Sequence, residues 1–266
     1  VENACASGSC GVMEAYAWIK AGLCDVAMAI GMDMVSWVDG TLPMPQGRWY
    51  FDAGLMTPNW YGLQASRYLS THGLPAEVLG EVVVKSREMA VHNPYAHFRN
   101  EVTLEEVMSS RMISTPFTLH QCCPTTDAAG VAILASEDFI ARKGLNSIRI
   151  KGAHMESGIP VYTDKKHPST ANRVANRIFS DCGIGPNDLD LLELHDAFSI
   201  GEFIYSEAVG ICEPGGYYQY LKEGRSKPGG GGVSVNTSGG LLSRGHPIGA
   251  TGLGQIAEVV WQLRGE

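Results

Sequence analysis

The chain contains 266 residues, of which 44% are hydrophobic, and it carries a formal net charge of −8. No basic run is longer than the pair Lys165-Lys166, so nucleic acid is not expected as a partner, and no apolar stretch approaches the roughly 20 residues that span a bilayer. The seven cysteines lack the regular spacing of a secreted disulfide framework, which predicts a reducing compartment such as the cytoplasm.

The first 31 residues predict a helix with Cys5 at its start. From Gly11 the apolar side chains follow helical spacing as far as Gly22, and Val26–Ile30 then form a compact run suited to a buried strand. Unpaired N–H groups and the macrodipole at a helix N-terminus favour a thiolate, the reactive form of cysteine. Cys5 is therefore a candidate nucleophile; the alternative is that it packs as a small apolar side chain.

Residues 36–119 lack the alternation of predicted strands and helices that the sequence shows on either side. Asn59 is predicted to cap a helix that ends at His72, and a second helix is predicted over residues 75–92. Thr103 and Glu106 match the capping box of a third, short helix. These patterns predict an inserted region that consists of helices and loops.

Alternating strands and helices return after residue 120. The apolar runs at 131–135, 147–155, 189–195 and 233–236 predict strands. Ser136 is predicted to cap the helix after the first, and a helix is predicted over Ser169–Cys182, closed by Gly183. A further helix is predicted after His195 and a last one over 255–264. This alternation is typical of a layered α/β fold, in which sites gather at the carboxyl ends of strands. His195 lies at such an end, so it could meet Cys5.

The segment from Ser238 to Gly252 is rich in glycine and contains one histidine, His246, followed by Pro247. Glycines allow the backbone to approach a ligand closely, and proline fixes the chain just after the imidazole. The pattern predicts an imidazole at the bottom of a narrow tunnel. The alternative is a phosphate cradle, although neither a P-loop nor a Rossmann spacing is present.

Four motifs together resemble the thiolase superfamily: VENACASG around Cys5, CCPTTDAAG at 122–130, HDAF at 195–198 and GGLLSRGHPIGATG at 239–252. HDAF stands where many thiolases have NEAF, and this variant resembles the sterol-carrier-protein-type and archaeal acetyl-CoA acetyltransferase branch. The resemblance implies a layered α-β-α-β-α fold of two similar halves with a helical loop domain inserted in the first. The expected parts are 1–35 with 120–146, the loop domain 36–119, and the second half 147–266.

The resemblance also implies a site and a reaction. Cys5 would receive the acyl group, and His246 would be the base that activates the Cys5 thiol. His195 would polarise the thioester oxygen of the substrate. The substrate would be a coenzyme A thioester, either a 3-ketoacyl-CoA for thiolysis or acetyl-CoA for the reverse Claisen condensation, with no bound cofactor and no metal. Family members of this kind are homodimers or tetramers, and some pair with a zinc-ribbon/OB-fold protein of the DUF35 type.

Two other functions stay open at this point. One is a lyase of the same fold that cleaves a bulky or steroid acyl-CoA side chain by a retro-aldol reaction. The other is a non-catalytic subunit that binds lipid or acyl-CoA. Thiolases use a second cysteine, in a Cys-x-Gly segment near the C-terminus, to remove the α-proton, and this chain contains no such segment. We therefore expect the natural protein to extend beyond both ends of the sequence.

Overall fold

The computed structural model describes residues 1–37, 54–158 and 169–266. Helices and strands alternate along both ends of the chain, whereas three helices follow one another within the inserted region, in the order predicted. The prediction of only helices and loops there is wrong for 112–118, where two short strands pair antiparallel. None of the helices in the described ranges is long and apolar enough to cross a membrane. The helices are α1 (Ser7–Lys20), α2 (Thr57–His72), α3 (Glu77–Ala90), α4 (Leu104–Ser109), α5 (Glu137–Lys143), α6 (Thr170–Cys182), α7 (Ile200–Val209), α8 (Tyr217–Lys222), α9 (Gly240–Ser243) and α10 (Thr251–Arg264). The strands are β1 (Val26–Asp33), β2 (Met112–Ser114), β3 (Phe117–Thr118), β4 (Ala128–Ala135), β5 (Leu191–Leu192) and β6 (Ser234–Val235).

Side-chain caps set three helix starts, those at Thr103 and Ser136 as predicted and one at Ser169 that was not predicted. Thr103 Oγ1 accepts from the Glu106 N–H at 3.2 Å, and the Glu106 carboxylate accepts from the Thr103 N–H at 2.8 Å. Ser136 and Ser169 cap α5 and α6. The predicted Asn59 cap is wrong by one turn, because α2 begins at Thr57 and the Asn59 side chain instead accepts from the N–H of the residue before the helix.

The β1 and β4 strands form an antiparallel pair across the inserted region, with Val26 opposite Ala135 and Asp33 opposite Ala128. One face of this pair packs against α1 and α10. A Cβ at Gly8 in α1 would lie only 2.7 Å from the Gly249 carbonyl oxygen, so glycine is needed for the approach. This close packing brings the start of α1 next to the glycine-rich segment. The predicted boundaries between the two halves and the inserted loop domain, at residues 35, 119 and 146, stay predictions.

The prediction that Val26–Ile30 form a buried strand is wrong for one of the two faces of β1. Val26, Met28, Ile30 and Met32 are exposed, whereas Ala29 on the other face is buried. Successive side chains of a strand point to opposite faces, and the described residues cover only the face that α1 and α10 contact. A compact apolar run cannot show whether one face or both are covered.

A larger hydrophobic core joins the inserted helices to the second half of the chain. Val78, Leu79 and Val82 of α3 are fully buried in the same cluster as Ile200 and Phe203 of α7. Within it, the Lys85 ammonium lies 2.6 Å from the Glu202 carboxylate, which also accepts from the Tyr217 hydroxyl at 2.7 Å. A buried ion pair needs such extra partners to offset its desolvation. The core therefore holds α7 in place, and with it the HDAF segment at 195–198 that precedes this helix.

Strands β5 and β6 are parallel and much shorter than the predicted runs 189–195 and 233–236. Asn236 ends the ladder because it adopts a left-handed φ of 54°. Its side-chain oxygen then accepts from the Leu194 N–H at 2.7 Å, in place of a backbone carbonyl. This hydrogen bond fixes the residue directly before His195.

The predicted strand at 147–155 is wrong. The structure gives this stretch no regular secondary structure, and no described segment pairs with it. Gly152 instead lies against α6, where a Cβ would come 2.6 Å from the Cys182 sulfur. Alternating apolar residues favour a strand, but a strand forms only where a neighbour accepts its hydrogen bonds.

Candidate active site

Cys5 lies in a single 3₁₀ turn, Ala4–Ala6, directly before α1. Ala4 has a φ of +44°, a left-handed conformation that costs an L-residue about 1–2 kcal/mol. Ser7 holds the turn, since its hydroxyl donates to the Ala4 carbonyl at 2.8 Å and accepts from the Asn3 N–H at 2.8 Å. Cys5 is therefore held in a defined turn rather than in the regular part of the helix.

His246 lies in the loop between α9 and α10, and the glycine before it allows its position. Gly245 has a φ of +111°, and a Cβ there would lie 2.7 Å from the Thr126 methyl group. His246 also forms a parallel β-bridge with Thr125. These contacts place His246 Nε2 3.2 Å from Cys5 Sγ, within hydrogen-bond distance for sulfur.

Thr251, the first residue of α10, determines which nitrogen of His246 carries the proton. Its hydroxyl donates to the Pro247 carbonyl oxygen at 2.8 Å, so toward His246 Nδ1, 2.6 Å away, it can only accept. The proton of the neutral imidazole is therefore on Nδ1, and Nε2 presents its lone pair to the Cys5 thiol. This is the tautomer in which the imidazole can accept a proton from sulfur.

His195 joins the same site from the carboxyl side of β5. The His195 and His246 rings lie 4.9 Å apart, centroid to centroid, at an angle of 81°. A ring nitrogen of each histidine and the Cys5 sulfur all lie within 4.8 Å of one another. The structure thus brings together the three side chains that the sequence selected, and no other group of three or more potential metal ligands occurs in the described ranges.

Burial makes both imidazoles neutral. It lowers the pKa of His246 to about 3, with His195 and the positive charge of Arg244 as smaller causes. The pKa of His195 falls to about 4 for the same reason, again with Arg244 contributing. Both rings are therefore unprotonated at neutral pH and able to accept or share a proton.

The expectation of a Cys5 thiolate is wrong for the resting state. Burial raises the pKa of the Cys5 thiol, the Cys5 backbone N–H lowers it by a smaller amount, and the nearby Asp33 carboxylate raises it further. Burial destabilises the charged thiolate more than the N–H groups at the helix N-terminus stabilise it, so the protonated thiol is favoured. The resting pair is a thiol beside a neutral imidazole.

The CCPTTDAAG segment supports the site without supplying a further reactive thiol. The Cys123 N–H donates to the Ala197 carbonyl at 2.9 Å, which ties this segment to HDAF. Burial raises the pKa of Cys122 to about 12 and raises that of Cys123 as well, so both stay protonated. Asp196 faces α9, where its carboxylate accepts from the Leu241 N–H at 2.7 Å.

Sequence reasoning missed two residues that shape the site. Thr251 fixes the His246 tautomer, and Asp33 at the end of β1 accepts from the Gly249 N–H at 2.7 Å. The hydroxyl four residues after Pro247, at a helix start, was the available signal for Thr251. Nothing in the sequence around Asp33 indicates its contact, because that contact joins residues far apart in the chain.

The half-buried His195 and the buried His246 predict an acid-sensitive fold. An unfolded histidine has a pKa near 6.5 and takes up its proton below that pH, whereas the folded values of about 4 for His195 and about 3 for His246 prevent this. Stability is therefore lost as the pH falls from 6.5 toward 4, by at most about 1.4 kcal/mol per pH unit for each histidine. Denaturant titrations at pH 7 and pH 5 should show this loss, and a His195→Gln/His246→Gln double variant should show less of it; an equal loss in both proteins would contradict the assignment.

An α/β fold that holds a half-buried thiol against a neutral imidazole defines a candidate cysteine-nucleophile enzyme. Residues 1–138 match the thiolase N-terminal domain family, and residues 153–266 match the thiolase C-terminal domain-like family. The chain therefore belongs to the thiolase family.

Individual relatives confirm the branch and the fold. Benzoylsuccinyl-CoA thiolase subunit BbsB from Thauera aromatica is 37% identical over 279 residues, which cover 100% of this chain and 70% of that protein. Sterol carrier protein 2 from Homo sapiens is 34% identical over 287 residues, covering 100% of this chain but only 52% of that protein. A solved structure of the Ltp2-ChsH2(DUF35) aldolase has the same fold, with a TM-score of 0.79 at 24% identity over 98% of this chain and 70% of that one. These findings confirm the predicted thiolase superfamily, its sterol-carrier branch and the two-domain α/β fold.

Proposed function

We propose that this protein is an acyltransferase that works through an acyl-Cys5 thioester, in thiolytic cleavage of a 3-ketoacyl-CoA or the reverse Claisen condensation of acetyl-CoA. The observation that carries the proposal is the 3.2 Å contact between Cys5 Sγ and His246 Nε2, together with the tautomer that Thr251 fixes. The similarity to a thiolase subunit supports the same reaction class. The substrate is a coenzyme A thioester, and the chemistry requires no bound cofactor.

The first step is transfer of the acyl group to sulfur. As Cys5 Sγ attacks the carbonyl carbon of an acyl-CoA, the thiol proton moves to His246 Nε2. The tetrahedral adduct then collapses, the bond from carbon to the coenzyme A sulfur breaks, and His246 returns the proton to the leaving thiolate. In thiolysis the same attack on the 3-keto carbon breaks the carbon–carbon bond instead, and the departing enolate takes up a proton to leave as the shorter acyl-CoA. The thiol of free coenzyme A then attacks acyl-Cys5, which releases the second acyl-CoA, and its proton returns to the Cys5 sulfur through His246.

His195 has the position to stabilise negative charge on a substrate oxygen. Its ring is neutral at pH 7 and lies beside His246, so one N–H can donate a hydrogen bond to a thioester oxygen. A preorganised donor of this kind contributes roughly 3–4 kcal/mol when charge develops on that oxygen. The cysteine expected to remove the α-proton, in a Cys-x-Gly segment, stays a prediction.

The direct test is a thiolysis assay on the full-length protein. Incubation with a 3-ketoacyl-CoA and free coenzyme A should give two shorter acyl-CoA products in equal amounts, resolved by liquid chromatography. Release of a carbonyl product without any need for coenzyme A would favour the lyase. Tight acyl-CoA binding by folded protein without turnover of any thioester would favour the non-catalytic subunit.

The assembly is proposed on family grounds. We expect a homodimer or tetramer, and the aldolase of the same fold, which pairs Ltp2 with a DUF35 protein, supports a zinc-ribbon/OB-fold partner of that type. Light scattering of the purified protein, alone and with such a partner, tests both expectations. The cytoplasmic location stays a prediction.

Thr251→Val should lower kcat/KM about 10–100-fold, the range for groups that orient a functional imidazole. Valine has nearly the same shape but cannot accept from Nδ1, so the proton is no longer restricted to that nitrogen. Thr251→Ser keeps the hydroxyl and should retain most of the activity. If Thr251→Val and Thr251→Ser lose activity equally, packing at this position matters and the tautomer does not.

A further inference from the structure

The cluster that forms the site has the composition of a metal site as well as of a nucleophile and its base. Cys5 offers a sulfur, and His195 and His246 each offer a ring nitrogen, with the three atoms within 4.8 Å of one another. Cysteine and histidine together are the ligand types of zinc, and three protein ligands with an open fourth position are a common zinc arrangement.

The distances suit a tetrahedral cation with little rearrangement. Bonds of about 2.3 Å to sulfur and 2.0–2.1 Å to nitrogen separate two ligands by about 3.3–3.6 Å. Cys5 Sγ and His246 Nε2 are already 3.2 Å apart, so only the third ligand, His195, must approach, by up to about 1.5 Å.

The surroundings of the cluster also match those of a metal ligand. His246 Nδ1, the nitrogen that would not bind the cation, lies 2.6 Å from the Thr251 hydroxyl, and such a second hydrogen bond fixes ring orientation in metal-binding histidines. The Asp33 carboxylate, whose charge acts on Cys5, favours a cation, whereas the Arg244 guanidinium, whose charge acts on both histidines, opposes one.

We propose that Cys5, His195 and His246 bind a thiophilic divalent cation such as Zn²⁺, and that the bound cation blocks Cys5 as a nucleophile. In the binding step the Cys5 S–H bond breaks, its proton goes to solvent, and a zinc–sulfur bond forms, with no change of oxidation state. The two neutral imidazoles bind without losing a proton. The inhibition rests on the proposed acyl transfer, whereas the binding does not.

The binding test uses Co²⁺ and Zn²⁺ on the metal-free protein and needs no turnover. Co²⁺ should give a thiolate-to-cobalt charge-transfer band at one equivalent per chain, and Zn²⁺ should displace it. Both Cys5→Ala and His195→Gln should lose the band, and Cys24→Ser, at a half-buried cysteine outside the cluster, should keep it. Circular dichroism shows that each variant is folded. A band that survives in Cys5→Ala, or no band in the native protein, overturns the proposal.

A second measurement separates this proposal from the proposed function. Saturating Zn²⁺ should slow alkylation of Cys5 by iodoacetamide at least tenfold, as followed by peptide mass spectrometry, and a chelator should restore the rate. Alkylation at an unchanged rate overturns the metal site, whatever the protein's activity. If the cation binds and protects Cys5 while metal-free protein transfers no acyl group, the metal site stands and the acyltransferase proposal fails.

Discussion

Replacing Cys5 with alanine is expected to reduce acyl transfer about 10⁴-fold or more, because the covalent route through sulfur is lost altogether. Alanine fits the space without adding volume, and the turn before α1 is held by the hydrogen bonds of Ser7, which the substitution leaves in place. The variant should therefore fold and still bind acyl-CoA. The measurement is the steady-state rate of thiolysis, with acyl-CoA affinity determined separately by calorimetry.

Cys24→Ser is the matched control for this variant. Cys24 is also a free, half-buried cysteine, but it is not part of the cluster with the two histidines, so its replacement should leave the rate within about twofold. Turnover that survives Cys5→Ala at a comparable rate would contradict acyl transfer through sulfur and would favour a retro-aldol lyase.

The second large effect is expected for His246→Asn, which should lower kcat about 10²–10⁴-fold, the usual contribution of a general base. The reason is the protonation of the resting pair: partial burial raises the pKa of the Cys5 thiol, so at neutral pH the sulfur depends on the imidazole to take its proton. The deficit should shrink as the pH rises, because an increasing fraction of Cys5 then ionises without help.

The pH dependence separates a lost base from a damaged fold. His97→Asn, at an exposed histidine outside the cluster, is the control and should behave like the native protein. A His246→Asn deficit that stays constant from pH 7 to pH 10 would show that the imidazole positions substrate and does not remove the Cys5 proton.

The three site residues could be predicted because their signals are local. A cysteine at a helix start and a histidine between glycines and proline are visible in short stretches, and His195 stands at the end of an apolar run. Their order along the chain matches that of the thiolase family, and this resemblance is what indicated that the three side chains share one site. The 3.2 Å contact between Cys5 and His246 joins residues at opposite ends of the sequence, and no spacing rule yields it.

The features that could not be predicted depend on partners distant in sequence. Whether β1 is buried on one face or both depends on what covers it, and the length of β5 depends on the left-handed turn at Asn236. The protonation of Cys5 is a balance between burial and the helix N-terminus, and burial can be assessed only once the packing of α1 against α10 is known. In each case the local sequence pattern is present, but contacts with residues distant in sequence determine the burial, the strand length or the protonation state.

The most direct test of the account is mass spectrometry of the full-length protein after brief incubation with acetyl-CoA and rapid acid quenching. We predict a single added acetyl group, lost on treatment with hydroxylamine and mapped by peptide fragmentation to Cys5. A folded protein that binds acyl-CoA but carries no adduct, or an adduct on another cysteine, would contradict the assignment of Cys5 as the nucleophile.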